Sequence, residues 1–174
     1  MRKYICLLLL LTCGAALAQE KMSYQPTHQF TISGKVKKEA VITMDSLNSY
    51  PLVAIGDIRV TDHLGNFKHG DKDLKGVLLK DILNHYQPDA SGPHFYSQFY
   101  YTCIATDGYK VVYSWNELFN TPVGDKVYIV LEKNGRKIGD LPESLQMVSM
   151  LDQKTGRRYL HNLDKIVVSE ATGQ

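Results

Sequence analysis

The sequence predicts an α+β fold: one strand-rich domain carrying a few short helices. Several runs alternate apolar and polar residues with the two-residue period of a half-buried strand. Two turn dipeptides that accept the positive φ of a tight hairpin, Asp107-Gly108 and Asn134-Gly135, sit between such runs. The stretches with helical spacing are short and are bounded by capping residues or prolines.

The chain opens with Arg2 and Lys3, an apolar run through Leu11, and small residues ending in Ala16-Leu17-Ala18. This is the layout of a secretory signal, too short for a membrane span and closed by a small-residue cleavage site. The expected mature start is Gln19. Cys13 offers a lipoprotein signal as a rival, but Thr12 stands before it where such a signal carries Gly, Ala or Ser. Export to the periplasm or beyond is therefore the expectation, with no membrane span after cleavage. Residues 19–27 read as a polar lead-in, 28–170 as the domain and 171–174 as a tail.

Within the domain, Phe30, Ile32 and Val36 of HQFTISGKV suggest a strand bent at Gly34. Thr43 can cap a short helix over MDSLNSY, which stops before Pro51. LVAIGDIRV is a strand rich in branched residues. Residues 62–75, DHLGNFKHGDKDLK, read as a loop or hairpin. In GVLLKDILNHY, Val77, Leu78, Ile82 and Leu83 fall together on a helical wheel, predicting a helix of about three turns ended by PDASGP. QFYYTCIAT and YKVVYS form a hairpin about Asp107-Gly108, and Ser114 with Glu117 matches a capping box for a short helix through Phe119. DKVYIVLEK is a strand leading into Asn134-Gly135. SLQMVSML and RRYLHNLDKIVVSE supply the last strands.

Charge narrows the function. Loss of residues 1–18 takes two of the 20 Lys and Arg and none of the 18 Asp and Glu, leaving a formally neutral protein. A nucleic-acid binder needs a basic surplus to displace counterions, so that class is disfavoured. With Cys6 and Cys13 removed, Cys103 has no partner for an intramolecular disulfide. It shares a strand face with Tyr101 and Ala105, which suits a small buried side chain; metal ligation or redox chemistry is the alternative. His63 and His69 share a polar loop with Asp62, Asp71 and Asp73. Imidazoles and carboxylates of that kind suit zinc or copper, although the spacing matches no standard motif and a solvated loop explains it as well. Trp115 reads as a core anchor. The tyrosines Tyr96, Tyr100, Tyr101, Tyr109 and Tyr113 are ordinary for a half-buried sheet, or line a cleft for an aromatic or sugar-like ligand.

The order FTISGKV, LKGVLLKDIL, IATDGYKVVYSWNEL and YLHNLDKIVVSE resembles the oxidoreductase molybdopterin-binding domain, the sulfite-oxidase-like fold. The resemblance implies a mixed, barrel-like strand arrangement with a molybdopterin cleft, and it puts Asp107, Gly108 and Tyr109 at the cleft rim. It also implies a molybdenum-ligating cysteine near Val60 to His63, where this chain reads Val-Thr-Asp-His. The late arginine and proline of that family are replaced around Gln146 and Met150. Two readings follow. The domain is a binding or accessory module for a small ligand or an envelope protein partner, or it is a molybdopterin- or metal-dependent oxidoreductase with His63, His69 or Cys103 as unconventional ligands. An aromatic interaction surface within a larger envelope complex is a third.

Overall fold

The computed structural model describes residues 25–172. The signal at 1–18, most of the lead-in and the last two residues of the tail lie outside the described residues.

The described chain runs through β1 (Gln29–Gly34), β2 (Ala40–Thr43), α1 (Met44–Leu47), β3 (Val53–Thr61), β4 (Phe67–Leu78) and α2 (Leu79–Leu83). It continues through β5 (Phe99–Ala105), β6 (Lys110–Ser114), α3 (Trp115–Phe119), β7 (Val127–Lys133), β8 (Arg136–Lys137), β9 (Gln146–Ser149) and β10 (Leu163–Glu170). Two five-stranded sheets result. The first has the order β2-β1-β10-β5-β6, and the second runs β3-β4-β7-β8 with β9 also paired to β7. The first sheet is mixed, because β1 lies parallel to β10 while its other pairs are antiparallel. The protein is thus α+β and strand-rich, and its sheets stay open rather than closing into one barrel.

Alternation explains the core. Along β5, Phe99, Tyr101, Cys103 and Ala105 are buried while the residues between them are half exposed. From the second sheet, Ile58, Val77 and the buried run Val127–Leu131 belong to the same hydrophobic cluster. β7 has partners on both edges, β4 and β9, and is buried on both faces at Val127–Leu131, so its run is continuously apolar instead of alternating.

The short helices begin where their caps dictate. Thr43 accepts from the Ser46 N–H at 3.2 Å, and Ser114 and Glu117 close a full capping box at the start of α3.

The three-turn helix expected over Gly76–Tyr86 is corrected by the structure. β4 continues through Leu78, with Val77 and Leu78 paired to Ile129 and Tyr128, and α2 holds only Leu79–Leu83. Gly76 shows why the strand wins. A Cβ there would lie 2.1 Å from the Ile129 carbonyl oxygen, so this position is reserved for close approach of β7. Helix α2 also lacks a side-chain N-cap. The apolar spacing identified the buried face; it could not distinguish a strand end running into a short helix from one continuous helix.

Candidate functional site

Three segments meet at one end of the fold. The first is the turn between β3 and β4. The Asp62 carboxylate accepts from the N–H groups of Leu64 (2.8 Å) and Asn66 (2.9 Å) and from the Asn66 side-chain amide (3.1 Å). The Asn66 amide above all holds the Asp62 carboxyl below its ordinary range, with the backbone donors adding to it.

The second is the β5–β6 turn, where Asp107 Oδ1 accepts from the Tyr109 N–H at 2.8 Å and Gly108 has φ +82°. The third is the 3-10 turn Thr155–Arg157 and the chain that follows it. The Thr155 hydroxyl donates to the Arg59 carbonyl at 2.7 Å and accepts from the Thr61 N–H at 3.1 Å, pinning this turn to the end of β3. Gly156 makes the approach feasible, since a Cβ there would be 2.1 Å from the Thr61 carbonyl oxygen. The Tyr109 hydroxyl donates to the Arg157 carbonyl at 2.7 Å, tying the second segment to the third.

Between these segments lies a cleft of about 400 Å³. Its walls include Val60, Thr61, Asp62, His63, Lys68 and His69 from the β3–β4 hairpin. Ala105, Asp107 and Tyr109 come from the β5–β6 turn, and Gly156, Arg157, Tyr159 and His161 complete the lining. His63, His69, Asp107 and Tyr109 therefore share one cleft. Cys103 is absent from it: the thiol is fully buried in β5, opposite Val111 and Ile166, and burial pushes it up to about 12. Trp115 is also elsewhere, stacked on Phe119 with ring centres 5.3 Å apart. Of the tyrosines, Tyr101 and Tyr113 are core residues and Tyr109 alone among the five reaches the cleft.

Under the cleft lies a polar cluster. The Tyr159 hydroxyl shares its proton between Asp71 Oδ2 and Gln146 Oε1, each at 2.7 Å. Lys133 Nζ donates to Gln146 Oε1 at 3.2 Å and stands 3.6 Å from Asp71 Oδ2 and 3.5 Å from Glu143 Oε2. His69 Nε2 is 3.7 Å from Asp71, and the His161 ring stacks on Tyr159 at 4.5 Å. Burial disfavours ionised Asp71, yet Tyr159, Lys133, Asn134 and His69 together outweigh it and hold the carboxyl below its usual range. Burial raises the Tyr159 phenol, reinforced by Asp71, so it remains a donor. Burial lowers His161 against the opposing pull of Glu143.

Sequence reasoning missed the third wall. Arg157, Tyr159 and His161 alternate in RRYLHNL, so one face of an extended segment was visible as a basic-aromatic-basic pattern. The intervening Arg158 does structural work: its Nε and Nη2 bind both Asp152 oxygens, and Nη1 donates to Glu117 Oε1 at 3.1 Å. This ties the third wall to the capping box of α3. Lys133 gave no such signal, because it ends a strand and its partners Asp71 and Glu143 come from distant sequence.

The donor set bears on a metal or molybdopterin. Val60–His63 forms a cleft wall, where the resemblance implies the metal thiolate, but it offers the Thr61 hydroxyl instead; the cysteine that could substitute, Cys103, is sealed in the core. A thiolate-held molybdenum does not fit these residues. Among the described residues, no three His, Cys, Asp or Glu side chains are grouped so as to hold a metal ion. Lys68 and Arg157 could still meet an anionic group of a ligand. No helix among the described residues is long and apolar enough to cross a membrane.

No protein-family model matches this chain, and no curated protein matches it. Among solved structures it is similar to the sulfane dehydrogenase SoxCD from Paracoccus pantotrophus, with a TM-score of 0.57 and 14% identity. The likeness covers 81% of this chain and 38% of that one, so the chain spans well under half of its length. At this identity the shared property is the fold.

Proposed function

We propose that this chain is an exported sulfite-oxidase-like domain, spanning residues 28–170, whose cleft serves as a small-ligand binding or accessory module. The single observation that carries this is the cleft wall at Val60–His63, which supplies a hydroxyl and imidazole where a metal-binding thiolate would be needed. The fold likeness to a sulfane dehydrogenase and the order of the sequence segments support the relationship. Function has to be argued from the site, and the site differs. A ligand-detected NMR screen on the full domain, repeated with Tyr109→Ala, tests it. Ligands that bind the parent and are lost in the variant support the module; a cleft that captures nothing from a broad library contradicts it.

A second reading has its own observation. His63 and His69 both line the cleft, so a metal-dependent oxidoreductase with imidazole ligands is the competing assignment. Stoichiometric zinc or copper that disappears in a His63→Ala/His69→Ala variant would establish it. The residue set assigned to this second reading is His63 and His69, with Cys103 outside the cleft.

A further inference from the structure

We propose that the cleft binds a small carboxylate ligand on Lys68 and Arg157, and that His161 takes up a proton as the carboxylate enters. This rests on the reading of the cleft as a small-ligand site and names the ligand class and its proton coupling. The first ground is the charge left free on the walls. Two carboxylates line the cleft, Asp62 and Asp107, and both are turned into their own turns as hydrogen-bond acceptors. Lys68 and Arg157 line the same space, and neither side chain has a hydrogen bond or ion pair among the described residues. An anion would meet cations that need not first break another contact. The Arg157 fork suits a carboxylate in two-point contact.

The second ground is a pair of unanswered polar groups. Thr61 is 4% exposed and its hydroxyl has no partner, although the residue lines the cleft. His161 also lines the cleft, and its buried Nδ1 makes no hydrogen bond; Glu143 Oε2 is within ion-pair range at 3.4 Å but does not meet hydrogen-bond geometry. Buried groups of this kind are uncommon unless a ligand or water completes them. Val60, Ala105 and the rings of Tyr109 and Tyr159 give the walls an apolar component, which suits an organic acid with an apolar body.

The charges around His161 set the direction of coupling. Glu143, 3.4 Å from its Nδ1, and Asp71 pull it toward the charged form, Lys133 and His69 push it toward the neutral form, and Tyr159 stacks on its ring. Lys68, Arg157, His63, Asp62 and Asp107 share the cleft with it. Burial favours the neutral imidazole in the absence of ligand, and an added negative charge favours the imidazolium. Ligand and proton therefore reinforce each other, and by linkage a lower pH tightens binding.

The test is calorimetric titration of the full domain with benzoate, which stays ionised above about pH 5, against benzamide as its uncharged counterpart. Benzoate should bind and benzamide should not. Its affinity should rise as pH falls from about 8 to 6, approaching about tenfold per unit if one proton is taken up. Lys68→Ala and Arg157→Ala should each weaken benzoate about fivefold or more. Binding enthalpies in two buffers of different ionisation enthalpy should reveal proton uptake in the parent and not in His161→Gln. Equal binding of benzamide would overturn the carboxylate assignment while leaving a small-ligand cleft in place. Benzoate binding without pH dependence, or proton uptake surviving in His161→Gln, would overturn the coupling. No binding of benzoate would overturn the inference as a whole, while the NMR screen judges the small-ligand reading separately.

Discussion

Tyr159 and Asp71, 88 residues apart in sequence, meet through a 2.7 Å hydrogen bond beneath the cleft. The contact joins the third wall of the cleft to the centre of β4 and helps keep a buried carboxylate ionised. Tyr159→Phe removes the donor and leaves Asp71 and Gln146 short of a partner, an expected loss of about 1–3 kcal/mol in urea unfolding. Its pH signature has a defined sign. The Asp71 carboxyl is lower in the folded state, so its stabilisation is present above the unfolded value of about 4 and is lost as pH falls through the folded value. Tyr159→Phe should make that acid loss smaller. An unchanged acid limb would remove Asp71 from the account.

Lys133 is the cation that answers Asp71 in a setting where both are nearly buried. Lys133→Met should destabilise the fold by about 3–5 kcal/mol, because it leaves a buried carboxylate unpaired. The Lys133→Met/Asp71→Asn double variant should recover part of the loss. Denaturant midpoints for the two singles and the double read the coupling, and strict additivity would contradict it.

Gly156 reserves the space through which the third wall reaches β3. Gly156→Ala puts a methyl group against the Thr61 carbonyl and should cost about 1–3 kcal/mol while opening the cleft. Thermal unfolding measures the first effect. Loss of ligand in the Tyr109-sensitive NMR screen measures the second.

Cys103 should be inert. With its thiol fully buried and pushed up to about 12, native protein should react with a thiol reagent no faster than it opens, and denatured protein should react at once. Rapid labelling of the native fold would place the thiol at the surface and reopen its candidacy as a ligand.

The fold was legible wherever a local rule was sufficient. Alternation located β1 and β5, the Ser114–Glu117 pair located α3, and Asn134 with φ +53° supports the turn between β7 and β8. The rules failed where tertiary contact decides. Val77 and Leu78 carry helix-compatible spacing, but β7 holds them in the sheet. The β2 strand escaped notice because its four residues gain their identity from pairing with β1. The same division runs through the cleft. Two walls, the 62–75 segment and the hairpin about Asp107-Gly108, could be anticipated from local sequence. The floor could not, since Asp71, Lys133, Gln146 and Tyr159 come together only when both sheets and the closing segment are assembled.

The most direct test of the central claim is elemental analysis by mass spectrometry on protein exported from a host that makes the molybdenum cofactor, followed by native mass spectrometry of the same sample. The account predicts no stoichiometric molybdenum, and a cleft able to take an organic ligand with Cys103→Ser behaving as the parent. Stoichiometric molybdenum in the parent, lost in Cys103→Ser or in the His63→Ala/His69→Ala variant, would contradict it and make this chain a molybdenum protein with a thiol or imidazole ligand.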